Sequence, residues 1–112
     1  LPARLAMSVH NLANRLAEAG RRAEGLAAAQ EAVQLDRELV ELNRDAYLPD
    51  LAMSVHNLAN RLAEAGRRAE ALAAAQEAST YYHDLARTDH DVFGPAAEQA
   101  DDLVTALSKD TF

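Results

Sequence analysis

The sequence contains no cysteine and no tryptophan, and aromatic residues make up only 4% of it. A chain without thiols can form neither disulfide bonds nor thiolate metal sites. No apolar run approaches the roughly 20 residues that a membrane-spanning helix needs, and no signal-peptide pattern opens the chain. These absences favour a cytoplasmic protein. An initiating methionine is also lacking, which predicts that these 112 residues are a piece of a longer protein.

Basic residues are few, and the acidic ones are unevenly placed. The net charge is −7, and from residue 89 onward the single base, Lys109, stands against Asp89, Asp91, Glu98, Asp101, Asp102 and Asp110. No basic stripe is available to release counterions from a nucleic acid, so nucleic-acid binding is not expected. Glycine-rich phosphate loops, nucleophile elbows and clustered acid–base sets are absent as well. We therefore expect neither an enzyme nor a bound cofactor.

Two segments of the chain are nearly identical. Residues 5–32 read LAMSVHNLANRLAEAGRRAEGLAAAQEA, and residues 51–78 repeat them with one difference, Gly25 against Ala71. The copies begin 46 residues apart, and a fixed period of this size indicates a solenoid of helical repeats. A recent duplication and an engineered origin explain this identity equally well. The length suffices for one domain only.

Apolar residues in each copy recur at helical spacing. In the first copy the stripe consists of Leu5, Val9, Leu12, Ala13 and Leu16. We expect Val9, Leu12 and Leu16 to face inward and Gly20 to end this helix. A second helix is predicted over about residues 21–43, followed by a loop over residues 44–48. Pro49 then begins the third helix, because proline costs nothing in a first turn.

The second copy predicts the same order, with helices over about residues 49–65 and 67–87. A fifth helix, from Pro95 to Ser108, has fewer apolar residues and is interpreted as a cap, because a terminal packing surface needs one polar face. We divide the single domain into repeat 1 (residues 1–46), repeat 2 (47–92) and the capping helix with its tail (93–112).

The copies resemble the tetratricopeptide repeat (TPR) family. Residues 11–14, Asn-Leu-Ala-Asn, stand where the family has Asn-Leu-Gly-Asn, and Gly20 stands at its turn glycine. Gly25 and Ala71 occupy the small position of its second helix, although the large aromatics and the closing proline are absent. The 46-residue period resembles long-repeat members such as kinesin light chains and bacterial multi-repeat signalling proteins. The resemblance implies an all-α, right-handed α-solenoid of two helix pairs plus a capping helix, five helices in all.

In that family the first helices of the repeats line a concave face that binds a protein or peptide partner. The resemblance therefore implies a groove formed by two matching rows of side chains, Met7, His10, Asn14, Met53, His56 and Asn60. Amide and imidazole groups can pair with a peptide backbone, and methionine adapts to apolar contacts. The alternative is that these residues form a solvated face, with the methionines filling the core. No metal site is expected, because zinc usually takes three or four ligands.

One use of the family is the clamp for C-terminal carboxylates of chaperones, and it fits this sequence poorly. Asn14 and Asn60 match the clamp's asparagines. The clamp also needs bases on its third inner helix, where this sequence offers Glu98, Asp101 and Asp102. A basic or neutral peptide is expected instead.

Self-assembly is an alternative role. The first helix has no neighbour before it, so apolar surface around Leu1, Leu5 and Leu12 is expected to be uncovered. Identical repeats can also exchange between chains. The sequence therefore leaves two roles open, a non-catalytic scaffold for a protein partner and a homo-oligomer.

Overall fold

A computed structural model describes residues 2–109, and within this range it contains five α-helices. They are α1 (Pro2–Glu18), α2 (Arg22–Leu42), α3 (Arg44–Glu64), α4 (Arg68–Thr88) and α5 (His90–Ser108). Each helix packs mainly against the next one along the chain, which makes an all-α solenoid of two helix pairs followed by α5. The predicted fold class is confirmed. Leu1 and Asp110, which entered the sequence arguments, lie outside the described residues.

One glycine ends the first helix of each pair, as predicted. Gly20 and Gly66 have φ angles of 79° and 78°, in the left-handed region where a side chain would be strained. The residue after each glycine closes the turn. The backbone N–H of Arg21 donates to the carbonyl oxygen of Leu16, and that of Arg67 donates to the carbonyl oxygen of Leu62, both at 2.9 Å. The return of the chain is therefore fixed by the same local sequence in both copies.

The junctions between the pairs are shorter than predicted. α3 begins at Arg44 and α5 at His90, each after a single linking residue. The predicted loop over residues 44–48 and the predicted helix starts at Pro49 and Pro95 are therefore wrong. Each proline occupies the sixth position of its helix, where it forfeits one backbone hydrogen bond.

The linking residues explain the early starts. Asn43 Oδ1 accepts a hydrogen bond from the backbone N–H of Ala46, and Asp89 Oδ1 accepts one from that of Val92, both at 3.2 Å. Such a side-chain cap typically stabilises a helix start by about 1 kcal/mol. A capped first turn therefore forms ahead of each proline, and the helix continues through it.

The core is built largely from small residues at helix crossings. Around α1 and α2 it contains Val9, Ala13, Ala28, Ala29 and Ala32. Around α3 and α4 the buried residues include Leu51, Ala52, Val55, Ala59, Leu62, Ala71, Ala75 and Ala78. Alanines at the crossings allow the two helices of each pair to pack closely.

The prediction that Leu12 faces inward is wrong, whereas the prediction of uncovered apolar surface around Leu5 and Leu12 is confirmed. Leu12 is 50% exposed, and Leu5 is 52% exposed. Their copies in α3 are covered, since Leu51 is 3% exposed and Leu58 is half-buried. The reason is position in the array: α2 packs against α3, whereas no described helix precedes α1.

The only difference between the copies over residues 5–32 lies at the closest approach of α1 and α2. A Cβ atom added to Gly25 would lie 3.2 Å from the backbone nitrogen of Ala17 and 3.4 Å from the carbonyl oxygen of Ala13. In the second copy the corresponding methyl group, that of Ala71, is present and fully buried. The crossing therefore accommodates a methyl group when the helices move apart by a few tenths of an ångström.

We expect Gly25→Ala to raise the free energy of unfolding by about 0.5–1 kcal/mol, because alanine loses less backbone entropy in a helix than glycine does. The reverse change in the other copy, Ala71→Gly, is expected to lower it by at least as much. Urea unfolding followed by circular dichroism checks both variants. A loss of stability in Gly25→Ala would show that the first crossing is more tightly constrained than the second.

Candidate functional site

The first helices of the array share one groove. It has a volume of about 240 Å³ and is lined by one residue of α1, four of α3, one of α4 and two of α5: His10, Met53, His56, Asn57, Asn60, Tyr82, Ala96 and Gln99. Residues from three successive first helices therefore converge on one surface. This is the arrangement that a concave binding face requires.

The structure brings four of the six predicted site residues into this groove, namely His10, Met53, His56 and Asn60. Met7 is 44% exposed and borders a separate small recess beside Met53 and Asp50. Asn14 does not line the groove, but its side-chain amide lies 3.4 Å from His10 Nε2 and can donate to it.

His10 is almost fully buried, with 8% of its surface exposed. Burial lowers the pKa of its imidazole, and the nearby carboxylates of Asp36 and Asp50 oppose this effect without cancelling it. The ring is therefore neutral at pH 7. If Nε2 accepts from Asn14, the proton lies on Nδ1, and Nδ1 has no hydrogen-bond partner among the described residues.

The corresponding histidine of the second copy lies in a different setting. Burial lowers the pKa of His56, and its ring meets that of Tyr82 edge to face, with centroids 6.4 Å apart and an interplanar angle of 67°. Such a pair adds to apolar packing. Beside it, the side-chain nitrogen of Asn57 is buried and unpartnered within the described chain.

The sequence analysis missed two site residues, Tyr82, which lines the groove, and Asp36, which lines the small recess beside Met7. They occupy the same position in the two copies, 46 residues apart, and each lies near the histidine of its own repeat. The sequence does contain a signal for these two residues, because the two copies stop being alike after Ala32 and Ala78. The first helices are the same in both repeats, and the second helices make the two histidine environments different.

Asp36 also joins the two repeats. Its Oδ2 accepts a hydrogen bond from Ser54 Oγ at 2.5 Å, and both residues are buried, at 3% and 1% exposed. Burial raises the pKa of Asp36, while the bond from Ser54 partly offsets that rise. In the second repeat Tyr82 and Ala100 take the places of Asp36 and Ser54, so this polar pair exists only between α2 and α3.

The acidic residues of α5 do not all face the groove, contrary to the sequence argument. Asp101 Oδ1 accepts from Ser79 Oγ at 2.6 Å, and its Oδ2 lies 2.8 Å from His83 Nε2. Glu98 borders a recess between α4 and α5. Both carboxylates therefore lie on the α4 side, and α5 presents Gln99 to the groove. The physical reason is the packing of α5 on α4, whose Ser79 and His83 bond Asp101 on that side.

Comparison with known families now adds to this geometry. A family model described as tetratricopeptide repeat matches residues 5–47 and 51–90, more than half of the chain. The chain belongs to the tetratricopeptide repeat family. The matched segments contain α2 and α4 with most of α1 and α3. Neither the curated proteins nor the solved structures gave a significant match.

Two other recesses of this TPR chain are larger than the groove. One, of about 470 Å³, lies at the α2–α3 and α4–α5 junctions, and the other, of about 340 Å³, lies between α4 and α5. Over residues 2–109 the buried side-chain atoms without a hydrogen-bond partner are His10 Nδ1, Asn57 Nδ2 and Arg61 Nε. Two of these three belong to groove residues and none to either larger recess, so the groove is the candidate site.

The described part of this TPR chain lacks two other kinds of functional feature. None of its helices combines the length and apolar character needed to cross a bilayer. No group of three or more histidine, aspartate or glutamate side chains there is placed to hold a metal ion.

Proposed function

We propose that this TPR chain binds a segment of a partner protein in the groove between α1, α3 and α5, without catalysing a reaction. Tetratricopeptide repeats generally mediate protein–protein interaction. The observation that supports the groove as the binding face is its pair of unused hydrogen-bonding atoms, His10 Nδ1 and Asn57 Nδ2. Buried polar atoms without partners are uncommon in folded proteins, and a ligand is one way to satisfy them.

The groove offers donors and apolar contacts rather than charge. Asn57 and Asn60 present side-chain amides that can donate to peptide carbonyls, while Met53 and Tyr82 offer flexible and aromatic surface. Both histidines are neutral at pH 7 because burial lowers their pKa values. The described groove lining contains no lysine or arginine, so a carboxylate would lose its hydration without gaining a cation. The partner segment is therefore neutral or basic.

The length of the repeat supports a closer placement within the family. The 46-residue period resembles the long repeats of members such as kinesin light chains and bacterial multi-repeat signalling proteins. In this placement, too, the first helices supply the contacts with the partner.

The test begins with peptides selected for binding to the immobilised protein from a displayed random library. Their affinities are then measured by titration calorimetry against the unchanged protein and the double variant His56→Ala/Asn60→Ala. We expect the double variant to bind at least about tenfold more weakly, because each lost polar contact contributes about 1 kcal/mol. Circular dichroism confirms that both proteins are equally helical.

The duplicated sequence supplies a matched control. Asn11 and Asn57 stand in identical local sequences, but Asn11 is exposed on α1 and only Asn57 lines the groove. Asn57→Ala should weaken the selected peptides and Asn11→Ala should not. Full affinity in both Asn57→Ala and the double variant, with the fold intact, would contradict the groove assignment.

A further inference from the structure

A small recess lies where α1, α2 and α3 meet, and it adjoins the groove, with which it shares His10 and Met53. Its volume is about 10 Å³, close to that of one water-sized sphere, so it admits a single atom and not a larger molecule. Six of the side chains that line it carry nitrogen, oxygen or sulfur atoms, namely Met7, His10, Asp36, Asp50, Met53 and Ser54. The recess is therefore small enough for one ion and surrounded by donor atoms.

The equivalent place in the second repeat has different chemistry. Residues 46 positions later in the chain line the groove itself, between α3 and α5. There the counterparts of Asp36, Asp50 and Met53 are Tyr82, Ala96 and Gln99. Of the two junctions between successive first helices in the described chain, the one between α1 and α3 therefore alone combines two thioethers with two carboxylates.

The soft donor atoms of the chain are concentrated in this recess. Met7 and Met53 are the only methionines of the sequence, which has no cysteine. His10 is 8% exposed, and its Nδ1 has no hydrogen-bond partner among the described residues. Thioether sulfur is a soft ligand that favours Cu(I), and imidazole also suits copper. An ion that needs three nitrogen or oxygen ligands does not fit, because His10, Asp36 and Asp50 are not placed to hold one in the described structure.

The second ring nitrogen of His10 has the neighbour that a metal-binding histidine needs. Such a histidine usually donates a hydrogen bond through the nitrogen that does not bind the metal. The side-chain nitrogen of Asn14 lies 3.4 Å from His10 Nε2. A half-turn of that amide puts its oxygen there to accept the Nε2 proton, which leaves a lone pair on Nδ1. Asp36 and Asp50 are close enough to act on the charge of His10, so they would also offset the charge of a cation beside it.

We propose that this recess binds one Cu(I) ion through Met7 Sδ, Met53 Sδ and His10 Nδ1. The two thioethers come from successive first helices, so the ion would also tie α1 to α3. The proposal does not rest on the function of the groove. Asn57 Nδ2 remains available there to a bound segment.

The test uses Cu(I) alone as the probe, added to the full chain without oxygen, kept reduced by ascorbate and offered in competition with the chelator ferrozine. We expect one ion to bind per chain. Met7→Leu and His10→Ala should each weaken binding at least about tenfold, since even the loss of a group that only orients a ligand costs about 10–100-fold in metal affinity. Met7 is 44% exposed, so leucine there preserves the fold, which circular dichroism checks.

His56→Ala is the matched control, because His56 has the same local sequence as His10 but the groove beside it offers Gln99 in place of a second thioether. It should bind Cu(I) as tightly as the unchanged chain does. Ag(I), a soft diamagnetic ion, should shift the methyl carbon NMR signals of both methionines. The proposal is overturned if the chain takes no Cu(I) from ferrozine, if Met7→Leu binds the ion with full affinity, or if equimolar Zn²⁺ displaces it. Equal losses in His56→Ala and His10→Ala would likewise exclude the recess as the site.

Discussion

Leu51→Ala is expected to lower the free energy of unfolding by about 3 kcal/mol, whereas Leu5→Ala, the same change in the same local sequence, should lower it by less than about 1 kcal/mol. Leu51 is 3% exposed within the largest core cluster, next to residues of α2, α4 and α5. Leu5 is 52% exposed. Truncating a buried leucine loses its transfer free energy and leaves a cavity, whereas at a half-exposed site the transfer loss is smaller and no closed cavity forms.

The comparison is internally controlled, because both sites lie in helices and the sequence that follows each leucine is the same up to Gly25 and Ala71. Urea unfolding of the two variants and the unchanged protein, followed by circular dichroism, measures the difference. The slope of the unfolding free energy against urea should be similar in all three, which shows that the unfolded state is not altered. Equal losses of stability at the two positions would mean that Leu5 is covered in solution and would contradict the exposure of α1.

The repeat made the fold predictable. Two identical segments with helical apolar spacing can bury their apolar faces only by packing against each other, so the number of helices and their order follow from the pattern. Gly20 and Gly66 interrupt the apolar spacing, and their positive φ angles agree with the turns predicted there. These features depend on local sequence, which is why they were accessible without a structure.

The helix starts at the junctions were less predictable, because two local signals compete there. Pro49 favours a helix that begins with it, and Asn43 caps one that begins five residues earlier, at Arg44. Burial decides between them: Leu48, which lies within the predicted loop, is 4% exposed and belongs to the core. Whether Leu48 is buried depends on tertiary packing, which the local pattern does not contain.

The groove was predicted only in part for a similar reason. Helical spacing places Met53, His56 and Asn60 on one face of α3, and that face lines the groove. Tyr82 and Gln99 come from helices whose depth and register depend on how the pairs stack. The acidic side chains of α5 were misplaced because their direction depends on how α5 packs against α4, which the local pattern does not contain.

The near-identity of the two copies does not make their surfaces equivalent. Their first helices present the same histidine and asparagine rows, but Asp36 lies near His10 whereas Tyr82 lies against His56. Arg4, which precedes Leu5, and Asp50, which precedes Leu51, differ in the same way. A few differences outside the repeated segment therefore give the histidine of each repeat different neighbours, although both repeats have the same helical fold.

The buried pair between the repeats leads to the second large effect. Ser54→Ala should lower the free energy of unfolding at pH 7 by about 2 kcal/mol, because it leaves the Asp36 carboxylate buried without its hydrogen-bond donor. The matched change Ser8→Ala should be neutral or slightly stabilising. Ser8 is exposed on α1, and alanine has the higher helix propensity. Thermal and urea unfolding of the two variants measure the contrast.

The loss in Ser54→Ala should also depend on pH, with a definite sign. Burial raises the pKa of Asp36 above its ordinary value of 3.8, and the bond from Ser54 lowers it. Without that bond the pKa rises further, so the folded variant takes up a proton at a higher pH than the folded unchanged protein does. Its stability relative to the unchanged protein therefore recovers as the pH falls from 7 toward 4.

A second substitution identifies the carboxylate as the cause. In an Asp36→Asn background the acceptor is a neutral amide, so Ser54→Ala should cost less and its cost should no longer vary between pH 7 and 4. The four proteins of this cycle, unfolded in urea at several pH values, give the coupling between the two side chains directly. A deficit in Ser54→Ala that stays constant with pH in both backgrounds would assign the loss to packing at the α2–α3 crossing. The Asp36 charge would then have no part in joining the repeats.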